Sequence, residues 1–281
     1  MDEFGISIHE AQRIVDRKRV FLDGIQVSDK AAFLCGEISV VVFEPEPSGL
    51  LPIFETPDFA IFDKPSGLLV HPRKRESVQT LNDDIKALFG VHANAAHRID
   101  KETSGLVLVG KDKANEIALK ALFEEKKVSK EYFALVRGCF EDSMLIDARL
   151  IVGHPTCSIK IKVHVDENGK ESLTKIEPIS YWEKYGATLV KAIPFTGRQH
   201  QIRAHLFHVK HPIVGDPIYG IDEKFTDLYL DKLLDDPTRK KLTHSLRLLL
   251  HAYRITFVYR GISYDIVSKM DFESEFLQAL E

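Results

Sequence analysis

The sequence lacks a membrane span: no apolar run approaches the roughly 18 residues that crossing a bilayer requires. Its start, Met1-Asp2-Glu3-Phe4-Gly5, has neither the basic nor the apolar stretch of a secretion signal, so a cytoplasmic protein is expected. Cysteine is scarce. Cys35, Cys139 and Cys157 are odd in number and widely spaced, which argues against a disulfide framework or a zinc ribbon and leaves buried, reduced thiols as the expectation. Internal repeats and low-complexity tracts are missing, and without heptads a coiled-coil dimer is not expected; a monomer is. Positive charge is not in excess: 38 basic against 42 acidic side chains leave a net charge of −4, and composition alone does not announce a nucleic-acid partner.

What is present, 44% hydrophobic and 28% charged side chains over 281 residues, is the composition of a soluble enzyme with one large domain, or a large one plus a small one. The charge is unevenly placed. Residues 194–211 carry Arg198, Arg203 and Lys210 against no acid, with four histidines, whereas residues 221–236 carry six acids against Lys224 and Lys232. Such a distribution leaves room for a basic groove on an acidic protein.

Residues 1–43 read as a small unit: a helix over about 7–18, a strand pair turning at Asp23-Gly24, and a strand over 36–43. Residues 44–52, with Pro45, Pro47 and Gly49, read as a linker. Residues 53–281 read as the main domain. Strands are expected at 59–62, 105–109, 132–136, 159–163, 188–192 and 254–259, the last turning at Arg260-Gly261 onto 263–267. Helices are expected at 81–89, at 112–126 and after Thr196. Without regular βαβ alternation this is an α+β domain built on antiparallel sheet.

Three segments could carry chemistry. His97-Arg98-Ile99-Asp100-Lys101 is a polar loop feeding the apolar strand 106–109, a place where a rigid sheet can present a carboxylate; a solvated Arg98–Asp100 turn pair is the plain alternative. In Lys130-Glu131-Tyr132-Phe133-Ala134-Leu135-Val136, period-two geometry puts Tyr132, Ala134 and Val136 on one face, where a half-buried core tyrosine is the default. Thr196 followed by Gln199 reads as a capping box, so the next helix sets Gln199, Arg203 and Leu206 on one face. A buried Arg203 would need an anionic partner; a phosphate-positioning or surface arginine is the alternative. The histidines suggest a metal, but His200 and His205 stand about 140° apart around a helix, and no His-Glu-x-x-His pattern completes a shell for His205 and His208.

Read in order, these segments resemble the RluA-type pseudouridine synthases, which convert uridines of ribosomal large-subunit RNA or transfer RNA to pseudouridine. Asp63-Lys64-Pro65-Ser66-Gly67-Leu68-Leu69-Val70-His71-Pro72 is similar to the family's opening motif. His97-Arg98-Ile99-Asp100 with Thr103-Ser104-Gly105 is similar to its catalytic loop, with isoleucine where leucine is usual. Lys130-Glu131-Tyr132 is similar to its tyrosine motif, and residues 196–205 to its arginine helix. Gly215-Asp216-Pro217, Tyr219-Gly220 and Leu250-His251-Ala252 complete the series. Through Ala11-Gln12-Arg13-Ile14-Val15 and Arg19-Val20-Phe21-Leu22-Asp23-Gly24, residues 1–43 resemble the S-four type of small RNA-binding domain, with the usual first helix missing and Asp23 where asparagine is common.

The resemblance implies a pseudouridine synthase fold: a central antiparallel or mixed sheet flanked by helices. It implies an isomerase acting on flipped-out uridines of RNA, with no cofactor, metal or membrane. It assigns Asp100 as the catalytic carboxylate, Arg203 as the cation keeping it ionised through a bidentate pair, and Tyr132 as the residue that stacks on the uracil and could take the carbon 5 proton. Arg98 is expected to enter the vacated base stack, and Lys64, Lys101, Arg198 and His205 to contact phosphates or bases. A non-catalytic RNA-binding or ribosome assembly factor is the alternative, though mere binding does not need Asp100, Tyr132 and Arg203 together. A metal-dependent hydrolase using the histidines at 200–211 is a third reading.

Overall fold

The computed structural model describes residues 8–41, 45–72, 78–154 and 157–281, and the chain divides into a unit of residues 1–45 and one of 46–281. In the first, helix α1 (Ile8–Asp16) precedes strands β1 (Val20–Leu22), β2 (Ile25–Gln26) and β3 (Ile38–Val40). The sheet order is β2-β1-β3, both pairs antiparallel, with the expected turn at Asp23-Gly24 joining β1 to β2. Part of the strand read over 36–43 lies outside the described residues.

The second unit contains β4 (Pro52–Glu55), β5 (Phe59–Lys64), α2 (Leu81–Phe89), β6 (Asn94–Ala95), β7 (Ser104–Gly110), α3 (Lys113–Glu124), β8 (Ser129–Arg137), β9 (Met144–Asp147), β10 (Leu150–Val152), β11 (Val163–Val165), β12 (Leu173–Trp182), β13 (Ala187–Pro194), α4 (Gln201–His208), α5 (Glu223–Leu230), α6 (Asp236–Thr243), β14 (Leu250–Tyr259), β15 (Ile262–Val267) and α7 (Phe272–Leu280). The large sheet runs β4-β5-β7-β14-β8-β13-β12-β9, with β15 beside β14 and β6 beside β7, while β10 and β11 form a separate hairpin. Every pairing of these strands is antiparallel except β7 with β14, which run parallel and touch only through Ser104–His251 and Gly105–Ala252. Gly105 makes that contact possible: a Cβ there would lie 2.2 Å from the Ala252 carbonyl oxygen, and its φ of +109° suits glycine alone.

Both faces of the sheet are buried where the site is built. Tyr132, Ala134 and Val136 face a core with Ile176, Val190, Ile202, Leu206 and Leu250, which α4 covers. Leu135 and Phe133 face the other side, against Phe272 and Phe276 of α7. The period-two alternation of β8 therefore divides as expected, each residue type taking the face its neighbours fill. On the other half of the sheet, α3 packs Leu119 onto Phe59, Ile61, Leu106 and Leu108, and α2 packs Leu81 and Ile85 onto Ala60, Phe62 and Val107. Residues 46–50 lie against α2, where the buried Asp84 accepts the Ser48 hydroxyl (2.8 Å) and the Gly49 and Leu50 N–H groups (2.9 and 3.1 Å).

Several expectations are corrected. Residues 159–162 form a turn closed by Lys162 N–H to the Ile159 carbonyl, and the strand starts only at Val163, since Ile159 and Lys162 are both buried and the alternation marks no sheet face. Cys35 and Cys139 are free but exposed rather than buried, and Cys157 is intermediate, its thiol donating to Glu223 (3.1 Å). Helices α5, α6 and α7 lie outside the helices expected from the sequence, and the Asp222, Asp235 and Asp271 side chains cap them by accepting from Lys224, Thr238 and Ser274 N–H. Among the described residues no helix is long and apolar enough to cross a membrane, and no three histidine, cysteine or acidic side chains gather as a metal site.

Candidate active site

Register brings the expected residues together. Gly105, Ala252, Tyr132 and Ala192 pair in turn across β7, β14, β8 and β13, forming one row through the middle of the sheet. Residues 97–103, which carry Asp100, lead into β7 at that row, where Gly105 lies two strands from Tyr132, about 10 Å between backbones at ordinary strand spacing. The loop is held from several sides. His97 Nε2 accepts the Leu108 N–H (3.0 Å), Gly67 N–H donates to the Lys101 carbonyl (2.9 Å), and Ser66 donates to the Glu102 carbonyl (2.7 Å). Burial lowers the His97 pKa to about 3, so its ring stays neutral and able to accept.

Asp100 and Arg203 do meet: Arg203 Nη1 donates to Asp100 Oδ2 at 2.9 Å. The expected bidentate pairing between them is corrected, because the guanidinium fork goes to Asp216. Arg203 Nε donates to Asp216 Oδ2 and Nη2 to Asp216 Oδ1, each at 2.8 Å. Asp216 is fully buried and its Oδ1 also accepts the Ile218 and Tyr219 N–H groups (2.9 and 3.1 Å). Gly215 lets the turn that carries it pack against the Arg247 backbone: a Cβ there would lie 1.7 Å from the Arg247 carbonyl oxygen. Arg203 also lies over the Tyr219 ring, 5.3 Å from its centroid.

These neighbours set the charges. Burial alone would raise the Asp100 pKa, but the charge of a protonated His200, the Arg203 guanidinium and the Lys64 ammonium outweigh it and hold the carboxyl below its usual value. Arg203 loses from burial and gains more from Asp216 and Asp100, so it stays charged. Burial, then the Asp100 charge, pushes the Tyr132 phenol above its ordinary pKa.

Asp100, Tyr132, Ile202, Arg203 and Leu250 line a cavity of about 510 Å³, with Lys130, Phe195 and Phe123 at its sides. That size suits a nucleoside. A second cavity of about 640 Å³ shares Arg98, Asp100, Arg198, His200 and Arg203 with the first and continues past Lys101 to His71 and Tyr229. Arg98, Lys101 and Arg198 are exposed around these openings.

Two expected RNA contacts are corrected. Lys64 is fully buried and donates to the carbonyls of Pro65 (2.9 Å), Leu68 (2.7 Å) and Lys101 (3.1 Å), so it ties the loop after β5 to the Asp100 loop. Burial pushes its pKa down to about 7. His205 is fully buried too, its ring between the Thr174 hydroxyl (2.9 Å) and the Ala148 carbonyl (3.0 Å), where it joins α4 to the sheet. The helix itself starts later than the capping box implies. The buried Gln201 side chain, not Gln199, accepts from Thr196 Oγ1 (2.7 Å) and Arg198 N–H (3.0 Å), and α4 opens from His200 in the left-handed region.

From sequence, Asp216 carries no role although it lies in a family motif, and His200 figures only as a metal ligand. A polar residue between glycine and proline, Gly215-Asp216-Pro217, was the available signal for a buried turn carboxylate.

Comparison with known proteins gives a coherent result. A family model described as RNA pseudouridylate synthase matches residues 58–208. A Helicobacter pylori protein described as an uncharacterized RNA pseudouridine synthase is 38% identical over 270 residues, covering 96% of this chain and 88% of that one. A ribosomal large subunit pseudouridine synthase C from Pasteurella multocida is 36% identical over 212 residues, 73% of this chain and 59% of its own. Among solved structures, human RNA pseudouridylate synthase domain containing 1 shares the fold with a TM-score of 0.64 at 23% identity, over 84% of this chain and 89% of that one.

Proposed function

The chain belongs to the RNA pseudouridylate synthase family, of the RluA type, and from that premise we propose that Asp100, Arg203 and Tyr132 carry its reaction on uridines of ribosomal or transfer RNA. The observation that carries the assignment is an ionised carboxylate at the edge of a nucleoside-sized cavity, hydrogen-bonded to a guanidinium whose fork is anchored elsewhere.

The isomerisation breaks the bond from ribose to nitrogen 1, turns the uracil, and rejoins it through carbon 5; the carbon 5 proton is lost and nitrogen 1 gains one. Redox state is unchanged and no external group is consumed. Asp100 would add to the ribose anomeric carbon, add to uracil carbon 6, or deprotonate the 2′ position; each needs the anion that Arg203 sustains. Tyr132 supplies an aromatic face for the uracil, and because its phenol stays neutral it acts as a stacking platform before it acts as a base. The buried walls hold the detached base away from water.

A uridine inside a helix cannot reach this cavity, so the target is unpaired or flipped out, at a cost of a few kcal/mol that phosphate contacts offset. Arg98, Lys101 and Arg198 are the proposed contacts, with Arg98 beside the carboxylate entering the gap the base leaves. The N-terminal unit, with exposed Arg17 and Lys18, is proposed as an auxiliary RNA contact. The test is tritium release from RNA labelled at uridine carbon 5: the parent protein releases it, Asp100→Asn does not, and release by that variant at the parental rate refutes the assignment.

A further inference from the structure

His200 is held in an arrangement that the Asp100–Arg203 pair does not account for. It occupies the residue before α4 with φ +50°, in the left-handed region, and its side chain is only 9% exposed although it borders both cavities. Its Nε2 stands 3.8 Å from Asp100 Oδ2, and its Nδ1 is 3.2 Å from the Tyr219 hydroxyl. That hydroxyl accepts the Val163 N–H at 2.9 Å and is buried, which leaves its own proton for His200 Nδ1 when the ring is neutral. With Nδ1 accepting, the neutral ring carries its proton on Nε2, facing the carboxylate, and the protonated ring carries one there as well. Arg203 donates to the same oxygen, Oδ2, while Oδ1 takes no hydrogen bond from the described residues.

We propose that His200 is a positioning residue for Asp100: its Nε2–H, oriented by Tyr219, joins Arg203 in holding Oδ2 and leaves Oδ1 as the oxygen that reacts. The separation of 3.8 Å closes when substrate fills the cavity, as contacts of this kind commonly tighten on binding. Val163 begins β11, so the tautomer at His200 depends on the β10–β11 hairpin being seated against α4. The proposal rests on Asp100 being the reactive carboxylate.

The experiment uses the full chain and total RNA labelled with tritium at uridine carbon 5, taken from cells lacking the gene. His200→Leu should lower kcat about 10²-fold, the scale of a misplaced reacting group, with KM for RNA little changed. His200→Gln, whose amide can place an N–H near the Nε2 position, should recover at least about tenfold of that loss. Both variants meet the same left-handed backbone, so their difference reads the side chain. Tyr219→Phe should lower kcat in the parent and have no further effect in the His200→Gln background, because an amide has no tautomer to set. If His200→Leu fails to fold, that double-mutant comparison decides. Parental kcat in His200→Leu, a loss confined to KM, or a Tyr219→Phe effect of the same size in the parent and in the His200→Gln background overturns the proposal. A parent protein that releases no tritium fails the functional assignment instead.

Discussion

Replacing Asp216 by asparagine separates the support of the site from its chemistry. Asp216 is fully buried and accepts four hydrogen bonds, two from Arg203 and two from backbone N–H groups. Asparagine is nearly isosteric and can keep the bonds at Oδ1, but its amide nitrogen would face Arg203 Nε as donor against donor. The guanidinium, 3% exposed, would keep only Asp100 as a charged partner. Breaking one side of a buried pair costs about 3–5 kcal/mol. For a domain of this size each kcal/mol moves the midpoint by about 2–4 °C, so a fall of roughly 6–20 °C is expected. Asp100→Asn should behave differently. Its side chain is 28% exposed and takes one hydrogen bond from Arg203, so the loss is about 1.5 kcal/mol while activity disappears.

The pH dependence sharpens the contrast. The Asp100 pKa is depressed in the fold, so its stabilisation is complete above the unfolded carboxylate value of about 3.9 and is lost as pH falls through the lower folded value. The Asp100 share of the melting gap between parent and Asp100→Asn should therefore close only under strongly acid conditions. Thermal melts and tritium release on the two variants check this. An Asp216→Asn protein that melts with the parent and turns over normally would refute the view that Arg203 is anchored from behind.

Other outcomes follow from the same geometry. Tyr132→Phe keeps the aromatic face and should retain RNA affinity while slowing tritium release; an unchanged rate removes the hydroxyl from the chemistry. Single alanine replacements of Arg98, Lys101 and Arg198 should each lower the slope of log affinity against log salt by about 0.7, and filter binding across a salt series measures it. Lys64 gives a pH effect of opposite origin: its folded pKa of about 7 lies below the ordinary lysine value, so the unfolded chain binds more protons between about pH 7 and 10.4 and parent stability should rise with pH there. Lys64→Met should lack that rise in denaturant titrations at several pH values, and an identical rise in both proteins would mean that Lys64 keeps an ordinary pKa.

The parts of the fold legible in the sequence were those with a local signal. Apolar alternation marks β8 and its two faces, Asp23-Gly24 and Arg260-Gly261 mark turns, and the helix expected over 112–126 is α3, capped by Asp112 accepting the Asn115 N–H. The alternation at 159–163 misled because isoleucine and lysine side chains can both be buried around a turn, Lys162 by pairing with Glu223 at 3.3 Å. Helix α6, Asp236–Thr243, is polar almost throughout and offers no apolar stripe, so only its Asp235 cap and early proline announce it. At the site, the residue types were readable but their pairing was not. Arg203 has two carboxylate neighbours, and which receives the fork depends on the Gly215 turn meeting the Arg247 backbone, a contact between distant parts of the chain that no local pattern encodes. Lys64 and His205 look like free cations by type, and only burial shows them spending their hydrogen bonds within the fold.

The single parallel contact between β7 and β14 has a mechanical consequence. It fixes the strand that follows the Asp100 loop onto the same row as Tyr132. With the two groups held by paired backbone, the expectation is that the nucleic acid supplies the bending and that uridines whose strand distorts cheaply are the better substrates.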